Sequence, residues 1–219
     1  LVAKHRKVHL FDIDIPGRQT FKVGRTPLIK CNFAETQESD TLSPGDSLTT
    51  FTAPFGKIGL GICYDIDVDS GGTLTICTIV HALTLQRFPE MAMIAARQGC
   101  IAMIYPSAFN TTTGPLHWTL LQRARAVDNQ IYVAMCSPAR NPDASYQAYG
   151  HSMVVNPLSV DRSMNTVLQA DLQGEILDEA DEHPATIYAD IDPELLATTR
   201  KNLPVTIQRR FGVYPDVSA

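Results

Sequence analysis

Amphipathic helical segments and short apolar segments alternate along most of the chain, and this alternation constrains the fold more than any other feature. A helix predicted from Pro89, with Gly99 as its C-terminal cap, is followed by the apolar strand CIAMIYP. The amphipathic helix HWTLLQRARAVDN is followed by the apolar strand IYVAMCSPA, and HSMVVNP is predicted as another strand. This repeated unit buries strands under helices, so the sequence predicts a layered α/β architecture.

Further elements are predicted near both ends of the chain. Residues 7–13 indicate a strand, and FGKIGLGICYDI indicates another that is apolar on both faces, as in a strand buried on both sides. ATIYADID is predicted as a strand, and PELLATTRKNL as a helix with Pro193 in its first turn. Cys63 therefore lies at the carboxyl end of a buried strand.

Composition and charge limit the classes of partner. With 219 residues, 44% of them hydrophobic, the chain can bury one substantial core, so we expect a single domain over residues 1–219. A net charge of -5 argues against binding of nucleic acid or of an anionic membrane surface. No run reaches the roughly 18 apolar residues of a membrane span. A small-molecule partner is therefore expected.

The cysteines indicate a reducing compartment rather than a disulfide framework or a metal site. They are odd in number and widely spaced, and they form no CxxC pair and no cluster with histidine. The five are Cys31, Cys63, Cys77, Cys100 and Cys136. We therefore expect no zinc site among the cysteines, and a cytoplasmic location, with a mitochondrial one left open. The chain begins at Leu1 without a start methionine or a signal-peptide pattern, so we expect an upstream segment to be missing.

Cys63 is a candidate nucleophile because of its position. A cysteine at the end of a buried strand, followed by a turn, points its sulfur away from the sheet and leaves the next backbone N–H to face a substrate oxygen. A thiolate forms there only if a nearby cation or helix N-terminus lowers the thiol pKa. The alternative is an ordinary core cysteine, which the strand alone favours. Cys100 and Cys136, inside apolar strands, are assigned to the core.

Several blocks resemble, in order, the signature blocks of the carbon-nitrogen hydrolase (nitrilase) superfamily. They are HRKVHLFDIDIPG, TLSPGD, KIGLGICYDI, RFPEMAMIAARQGC, YPSAFNTTTGPLHWTLLQRARAVDNQIYVA, SPAR and YGHSMVVNP. The similarity is greatest to the ω-amidase branch. It implies an αββα sandwich that hydrolyses the terminal amide of small carboxylated amides through a cysteine acyl-enzyme, with water as second substrate. It also implies that no cofactor or metal is needed, because the thiolate and the lysine can carry out the chemistry. A homodimer or larger homo-oligomer is implied as well, with residues 209–214 packing across subunits.

The resemblance also assigns catalytic roles. Cys63 matches the nucleophile, and Lys7 matches the lysine that stabilises the oxyanion together with the backbone N–H of Tyr64. Glu38 matches the supporting glutamate, with Glu35 as a weaker competitor. The general-base glutamate of the family lies upstream of the lysine, so we expect it to precede this sequence. General acid/base catalysis accelerates a reaction by about 10²- to 10⁴-fold, so we expect the chain as given to be nearly inactive.

Other matched positions follow a predicted strand, where pocket walls are commonly built. They are the candidate substrate-binding residues Phe109, Asn110, Thr111, His117, Trp118 and Arg123. For His117 and Trp118, packing is as good an explanation as substrate contact. The side chains of Arg123 and Arg125 can lie on a solvated helix face, form an ion pair or bind a substrate carboxylate. His151 is interpreted as a hydrogen-bonded core histidine rather than a catalytic base.

Three stretches interrupt the family pattern, at about residues 22–36, 67–86 and 158–171. Our hypothesis is that they are translated, unspliced introns. The alternative is that they are genuine surface insertions, which loop-closure entropy tolerates at about 0.6 kcal/mol per doubling of length. The second stretch begins four residues after Cys63, where an insertion could misplace the oxyanion site.

Two rival functions stay open at the level of the sequence. One is another amidase of the same superfamily, acting on deaminated glutathione or on an N-carbamoyl compound. The other is a non-catalytic fragment or pseudoenzyme that acts by association through exposed sheet edges and apolar patches.

Overall fold

The computed structural model describes residues 1–10, 38–66, 88–158 and 174–213, and these contain one six-stranded sheet whose strands follow sequence order. The strands are β1 (Thr49–Ala53), β2 (Gly56–Leu60), β3 (Cys100–Pro106), β4 (Tyr132–Cys136), β5 (Met153–Asn156) and β6 (Glu175–Glu179). The helices are α1 (Pro89–Arg97), α2 (Gly114–Asn129), α3 (Pro193–Asn202) and α4 (Val205–Gln208), with short 3-10 turns at Glu38–Asp40, Cys63–Asp65 and Phe211–Val213.

The centre of the sheet is parallel. Strands β2, β3 and β4 run in the same direction, whereas β1, β5 and β6 pair antiparallel on either side of them. Helix α1 precedes β3, and helix α2 connects β3 to β4. The predicted αβ units and the α/β class are confirmed. The carboxyl ends of the three parallel strands therefore meet at one edge of the sheet.

Hydrophobic side chains are buried on both faces of the sheet. The larger cluster contains Trp118 of α2 together with Met103 and Tyr105 of β3, and all three are fully buried. On the other face, Leu196 of α3 packs with a smaller cluster that includes Ala102. Side chains alternate along a strand, so β3 contributes to both clusters. Burying a large apolar side chain is worth about 1.5–3 kcal/mol, and these residues hold the helices on the sheet.

The three longer helices begin and end where local chemistry predicts. Pro89 lies in the first turn of α1, and Gly99, just past its end, has the positive φ of 88° that favours glycine. Asp192 caps α3, since its carboxylate accepts from the backbone N–H of Glu194 at 3.0 Å and of Leu195 at 2.9 Å. The predicted helices are confirmed.

The predicted strand over residues 7–13 is wrong for its described part. Residues 7–10 form no strand. The backbone N–H groups of Val8 and His9 donate instead to the carboxylate of Asp65, at 3.1 and 2.9 Å. A side chain distant in sequence thus takes the donors that a strand would use for its ladder.

The predicted strand over residues 185–192 is also wrong, because these residues form no regular element. Here too, backbone N–H groups donate to side chains and not to a neighbouring strand. The N–H of Tyr188 donates to Asp178 Oδ2 at 3.0 Å, and the N–H of Asp192 donates to the Tyr132 hydroxyl at 3.2 Å. The outer position of the sheet is taken by β6, which pairs with β5.

The three irregular stretches fall almost entirely outside the described residues, as do Glu35, Cys31 and Cys77. Only Leu158, at the start of the third stretch, is described, and it is fully buried. The hypothesis of translated introns therefore stays a prediction. No helix within the described ranges is both long and apolar enough to cross a membrane.

Candidate active site

A cavity of about 1250 Å³ opens at the carboxyl ends of the three parallel strands. One part of its wall follows each of these strands: Ile62 and Cys63 after β2, residues 106–108 at the end of β3, and residues 136–138 at the end of β4. The remaining wall comes from residues 6, 7, 10, 38, 41–43, 145 and 146. Open α/β sheets bind ligands at this edge, so the cavity is the candidate site.

Cys63 reaches the cavity because β2 ends in a tight turn. The N–H of Gly61 still donates to the carbonyl of Ile104 at 3.0 Å, after which residues 63–65 form a 3-10 turn. Cys63 has a φ of 45°, a left-handed conformation that is strained for a residue with a side chain and is concentrated at functional sites. A Cβ on Gly61 would lie 2.3 Å from the ring of Tyr105, so the approach to Cys63 requires glycine.

The structure brings the three predicted catalytic side chains, Lys7, Glu38 and Cys63, to this cavity. Lys7 Nζ donates to Glu38 Oε2 at 2.6 Å, and the two side chains are only 10% and 24% exposed. Lys7 Nζ also lies 5.6 Å from the ring centroid of Tyr64. A largely buried ammonium held by a carboxylate is suited to stabilise negative charge that develops on a substrate oxygen.

The other two cysteines in the described ranges, Cys100 and Cys136, have opposite environments. Cys100 is fully buried, as predicted, and burial raises the pKa of its thiol, opposed by the positive charges of Lys57 and Arg200. The assignment of Cys136 to the core is wrong, since it is exposed and lines the cavity. Cys136 is the last residue of β4 and the exposed position of that strand, and it lies at the cavity wall. The described wall of the cavity therefore carries the thiol groups of Cys63 and Cys136.

Two predicted substrate-binding residues, Phe109 and Trp118, lie in the core and are not among the described residues that line the cavity. Their rings meet edge to face with centroids 5.1 Å apart. The indole N–H of Trp118 donates to the carbonyl of His151 at 2.5 Å. His151 Nδ1 lies 3.2 Å from Glu179 Oε1, so the predicted hydrogen bond is present, but the histidine is half-buried and its prediction as a core residue is wrong.

The remaining candidates also lie away from the described cavity wall. Asn110 organises the start of α2, because its Oδ1 accepts from the N–H groups of Thr112 and Thr113, both at 2.8 Å. Thr111 and Arg123 are exposed, and His117 is half-buried on α2. A direct role for these residues, or for the N–H of Tyr64, in binding substrate stays a prediction.

Sequence reasoning missed Asp65, although it stands in the CYD triplet beside the nucleophile. Its carboxylate is fully buried and accepts from the Ile62 N–H at 2.8 Å, in addition to the donors from residues 8 and 9. A charged residue two positions after the candidate nucleophile was the available signal. Tyr105 lies against the same turn, and burial raises the pKa of its phenol, opposed by Arg125 and reinforced by Asp65.

The carbon-nitrogen hydrolase family model matches residues 1–71 and 84–201. The structure defines a protein of mixed α/β architecture with a candidate cysteine nucleophile beyond a central parallel strand. The chain belongs to the carbon-nitrogen hydrolase family.

Relatives with assigned activities are similar over the whole chain. Omega-amidase NIT3 of Saccharomyces cerevisiae is 48% identical over 219 residues, covering 100% of this chain and 58% of that protein. Human omega-amidase NIT2 is 46% identical over 214 residues, covering 98% of this chain and 59% of that protein. The chain thus spans somewhat more than half the length of these relatives.

Solved structures agree on the fold. The crystal structure of Saccharomyces cerevisiae Nit3, described as a member of branch 10 of the nitrilase superfamily, matches with a TM-score of 0.66 at 45% identity, covering 96% of this chain and 56% of that one. The NitFhit protein of C. elegans matches with a TM-score of 0.69 at 29% identity, covering 97% of this chain and 40% of that one. The predicted nitrilase fold class is confirmed.

Proposed function

We propose that the protein hydrolyses the terminal carbon-nitrogen amide bond of small carboxylated amides, such as 2-oxoglutaramate, through a thioester on Cys63. The observation that carries this proposal is the placement of Cys63, Lys7 and Glu38 on one cavity at the carboxyl edge of the parallel strands. The relatives named omega-amidases support the choice of an ω-amide.

The chemistry proceeds in two displacements. The Cys63 thiolate attacks the amide carbonyl, and the negative charge on the carbonyl oxygen is stabilised by the Lys7 ammonium and by the N–H of Tyr64. The carbon-nitrogen bond then breaks, and the nitrogen takes up a proton and leaves as ammonia. Water attacks the thioester, which releases the carboxylic acid and returns the thiol. Glu38 holds the Lys7 ammonium in place through their 2.6 Å hydrogen bond.

The proton transfers require a general base. By resemblance to the family, this role belongs to a glutamate upstream of the lysine, and none of the six residues before Lys7 is a glutamate. We propose that the base lies in the part of the relatives' length that this chain does not span, so a test of catalysis includes that part.

Polar groups on the cavity wall suit a carboxylated substrate. Arg6 and Lys7 add positive charge to the cavity wall, which also includes Ser107, Cys136, Ser137 and Tyr146. Arginine binds a carboxylate through two parallel hydrogen bonds, so Arg6 is the candidate partner of the substrate carboxylate.

We further propose that the complete protein is a homo-oligomer in a reducing compartment, with the cytoplasm as first choice because the three cysteines in the described ranges form no disulfide. The end of the described chain packs on the same protomer: Arg209 donates to the carbonyl of Asp128, and Phe211 lies under the Arg97 guanidinium at 4.4 Å. Packing of this segment across subunits stays a prediction.

A substrate panel tests the activity. The chain is extended at its N-terminus with the residues that precede the matched region of the yeast relative, and ammonia release is followed with 2-oxoglutaramate, deaminated glutathione and an N-carbamoyl amino acid. Release from 2-oxoglutaramate alone supports the proposal. Ammonia release from only one of the other two substrates would instead assign the chain to another amidase activity of the family. No ammonia release from any of the three substrates would support a non-catalytic role.

A further inference from the structure

We infer that Asp65 is a positioning residue whose carboxylate clamps the Lys7 segment to the Cys63 turn and so sets the reactivity of the nucleophile. This inference rests on the proposed function, because it concerns the same cavity. Asp65 is fully buried and lies outside the cavity wall, so it acts through its neighbours rather than on the substrate.

The two oxygens of this carboxylate serve two different segments. Oδ1 accepts from the backbone N–H groups of Val8 and His9 at 3.1 and 2.9 Å, directly after Lys7. Oδ2 accepts from the N–H of Ile62, the residue before Cys63, at 2.8 Å. One side chain therefore fixes the backbone beside the lysine and the backbone beside the thiol.

Only a carboxylate can make both connections. The backbone partners on the two oxygens are all N–H donors, and they can bond only to acceptors. An asparagine in the same position would turn its NH₂ group either towards Val8 and His9 or towards Ile62. Whichever way the amide is turned, it loses one of the two connections.

Two histidines, placed two residues before and two residues after Lys7, complete the clamp. His9 Nδ1 lies 2.9 Å from Asp65 Oδ1, and His5 Nε2 lies 3.3 Å from Oδ2. The other nitrogen of His5 lies 3.1 Å from the hydroxyl of Thr49 in β1. We call Asp65, His5 and His9 the Asp65 clamp.

The clamp is braced from the side of α1. The His9 ring stacks on Phe88 with centroids 3.7 Å apart and planes at 9°, and Phe88 also meets the ring of Tyr64 edge to face at 5.5 Å. Phe88 caps α1, so the clamp joins the Lys7 segment, the Cys63 turn, β1 and α1. The lysine is thus held from both sides by contacts that do not involve its own ammonium.

Positioning matters here because a cation favours a thiolate only at short range. Besides Asp65, the titratable groups around the clamp and the Cys63 turn are His5 and His9 of the clamp itself, Lys7 and Glu38, and the buried phenol of Tyr105. Release of either segment moves the Lys7 ammonium relative to the Cys63 sulfur. Small displacements of this kind lower rates strongly.

The test measures the alkylation of Cys63 by iodoacetamide in the full 219-residue chain, with and without Asp65→Asn, from mildly acidic to mildly alkaline pH. Mass spectrometry of peptides reports Cys63 and the exposed Cys136 separately, so Cys136 serves as an internal reference in the same cavity. We expect Asp65→Asn to slow the alkylation of Cys63 about tenfold at neutral pH and to raise the pH midpoint of this reaction by about one unit. The alkylation rate of Cys136 should be unchanged.

The matched control is Asp192→Ala, which removes the cap of α3 and lowers thermal stability at a position outside the cavity wall. It should leave the ratio of Cys63 to Cys136 alkylation at the wild-type value. If Asp65→Asn behaves like this control, with lower stability but unchanged ratio and pH midpoint, Asp65 is only a structural residue and the inference is overturned.

A second variant covers the case in which Asp65→Asn does not fold. His9→Phe keeps a ring stacked on Phe88 but removes the nitrogen that contacts Asp65. We expect the alkylation of Cys63 to be twofold to tenfold slower in this variant, which is about the effect of losing one hydrogen bond. An unchanged rate in this folded variant also contradicts the clamp. The readout needs no amide hydrolysis, so failure of the proposed activity and failure of the clamp are distinguishable.

Discussion

Replacing Gly61 by alanine tests the packing that brings Cys63 to the cavity. The new methyl group would lie 2.3 and 2.6 Å from two carbons of the Tyr105 ring, whereas carbon atoms in contact prefer about 3.5–4.0 Å. Tyr105 is fully buried in the main core cluster, so its ring has little room to retreat. The strand or the ring must move, and either shift reaches the turn that carries Cys63.

The expected loss of folding stability follows from this overlap. Overpacking a well-packed core costs about 1–3 kcal/mol, and an overlap of about an ångström with two buried atoms favours the upper end. For a chain of this size, about 3 kcal/mol lowers the melting temperature by roughly 6–12 °C. We expect Gly61→Ala to show this shift, together with slower alkylation of Cys63 relative to Cys136.

Thermal unfolding followed by circular dichroism measures the first effect, and Gly212→Ala is the control, because nothing lies within 4 Å of a Cβ at that position. The control should melt at the wild-type temperature. A Gly61→Ala protein that also melts at that temperature, with normal Cys63 alkylation, would refute the argument that close approach to Tyr105 positions the nucleophile.

Three further predictions concern other parts of the site and its support. In the N-terminally extended protein, Lys7→Met should lower kcat/KM for 2-oxoglutaramate about 10²- to 10³-fold, since it removes a charge that stabilises the oxyanion; an unchanged value contradicts that role. Because burial raises the pKa of Cys100, its thiolate fraction is reduced, so iodoacetamide at mildly alkaline pH should label Cys136 first and Cys100 only after denaturation. Arg200→Met should destabilise the chain by about 1–3 kcal/mol in urea unfolding, because the guanidinium donates to the buried carbonyls of Gln130 and Cys100; equal midpoints would show that these bonds contribute little.

The sequence predicted the elements between residues 89 and 156 well because their signals are local. Helix α2 and strands β3 and β4 each combine a periodic apolar pattern with proline, glycine or polar residues at the ends. The strands predicted at residues 7–13 and 185–192 failed for the opposite reason. Their backbone donors are taken by Asp65, Asp178 and Tyr132, and no local pattern reveals such partners.

The site was predictable only in part. Cys63 stood out at a strand end, but Lys7 and Glu38 were assigned by family resemblance, since a lysine and a glutamate 31 positions apart carry no local sign of their 2.6 Å contact. Cys136 was assigned to the core because its strand is apolar, whereas the strand ends there and exposes it. Asp65 was missed because its role depends on two segments that meet only in the fold.

The most direct test of the account is ammonia release from 2-oxoglutaramate by the chain extended with the N-terminal part of the yeast relative and freed of residues 22–36, 67–86 and 158–171. We expect steady release that Cys63→Ala abolishes and Cys136→Ala retains, with a thioester adduct on Cys63 detectable by mass spectrometry of the quenched enzyme. Equal release by the protein with and without Cys63, or an adduct on Cys136 instead, would contradict the assignment of Cys63 as the nucleophile.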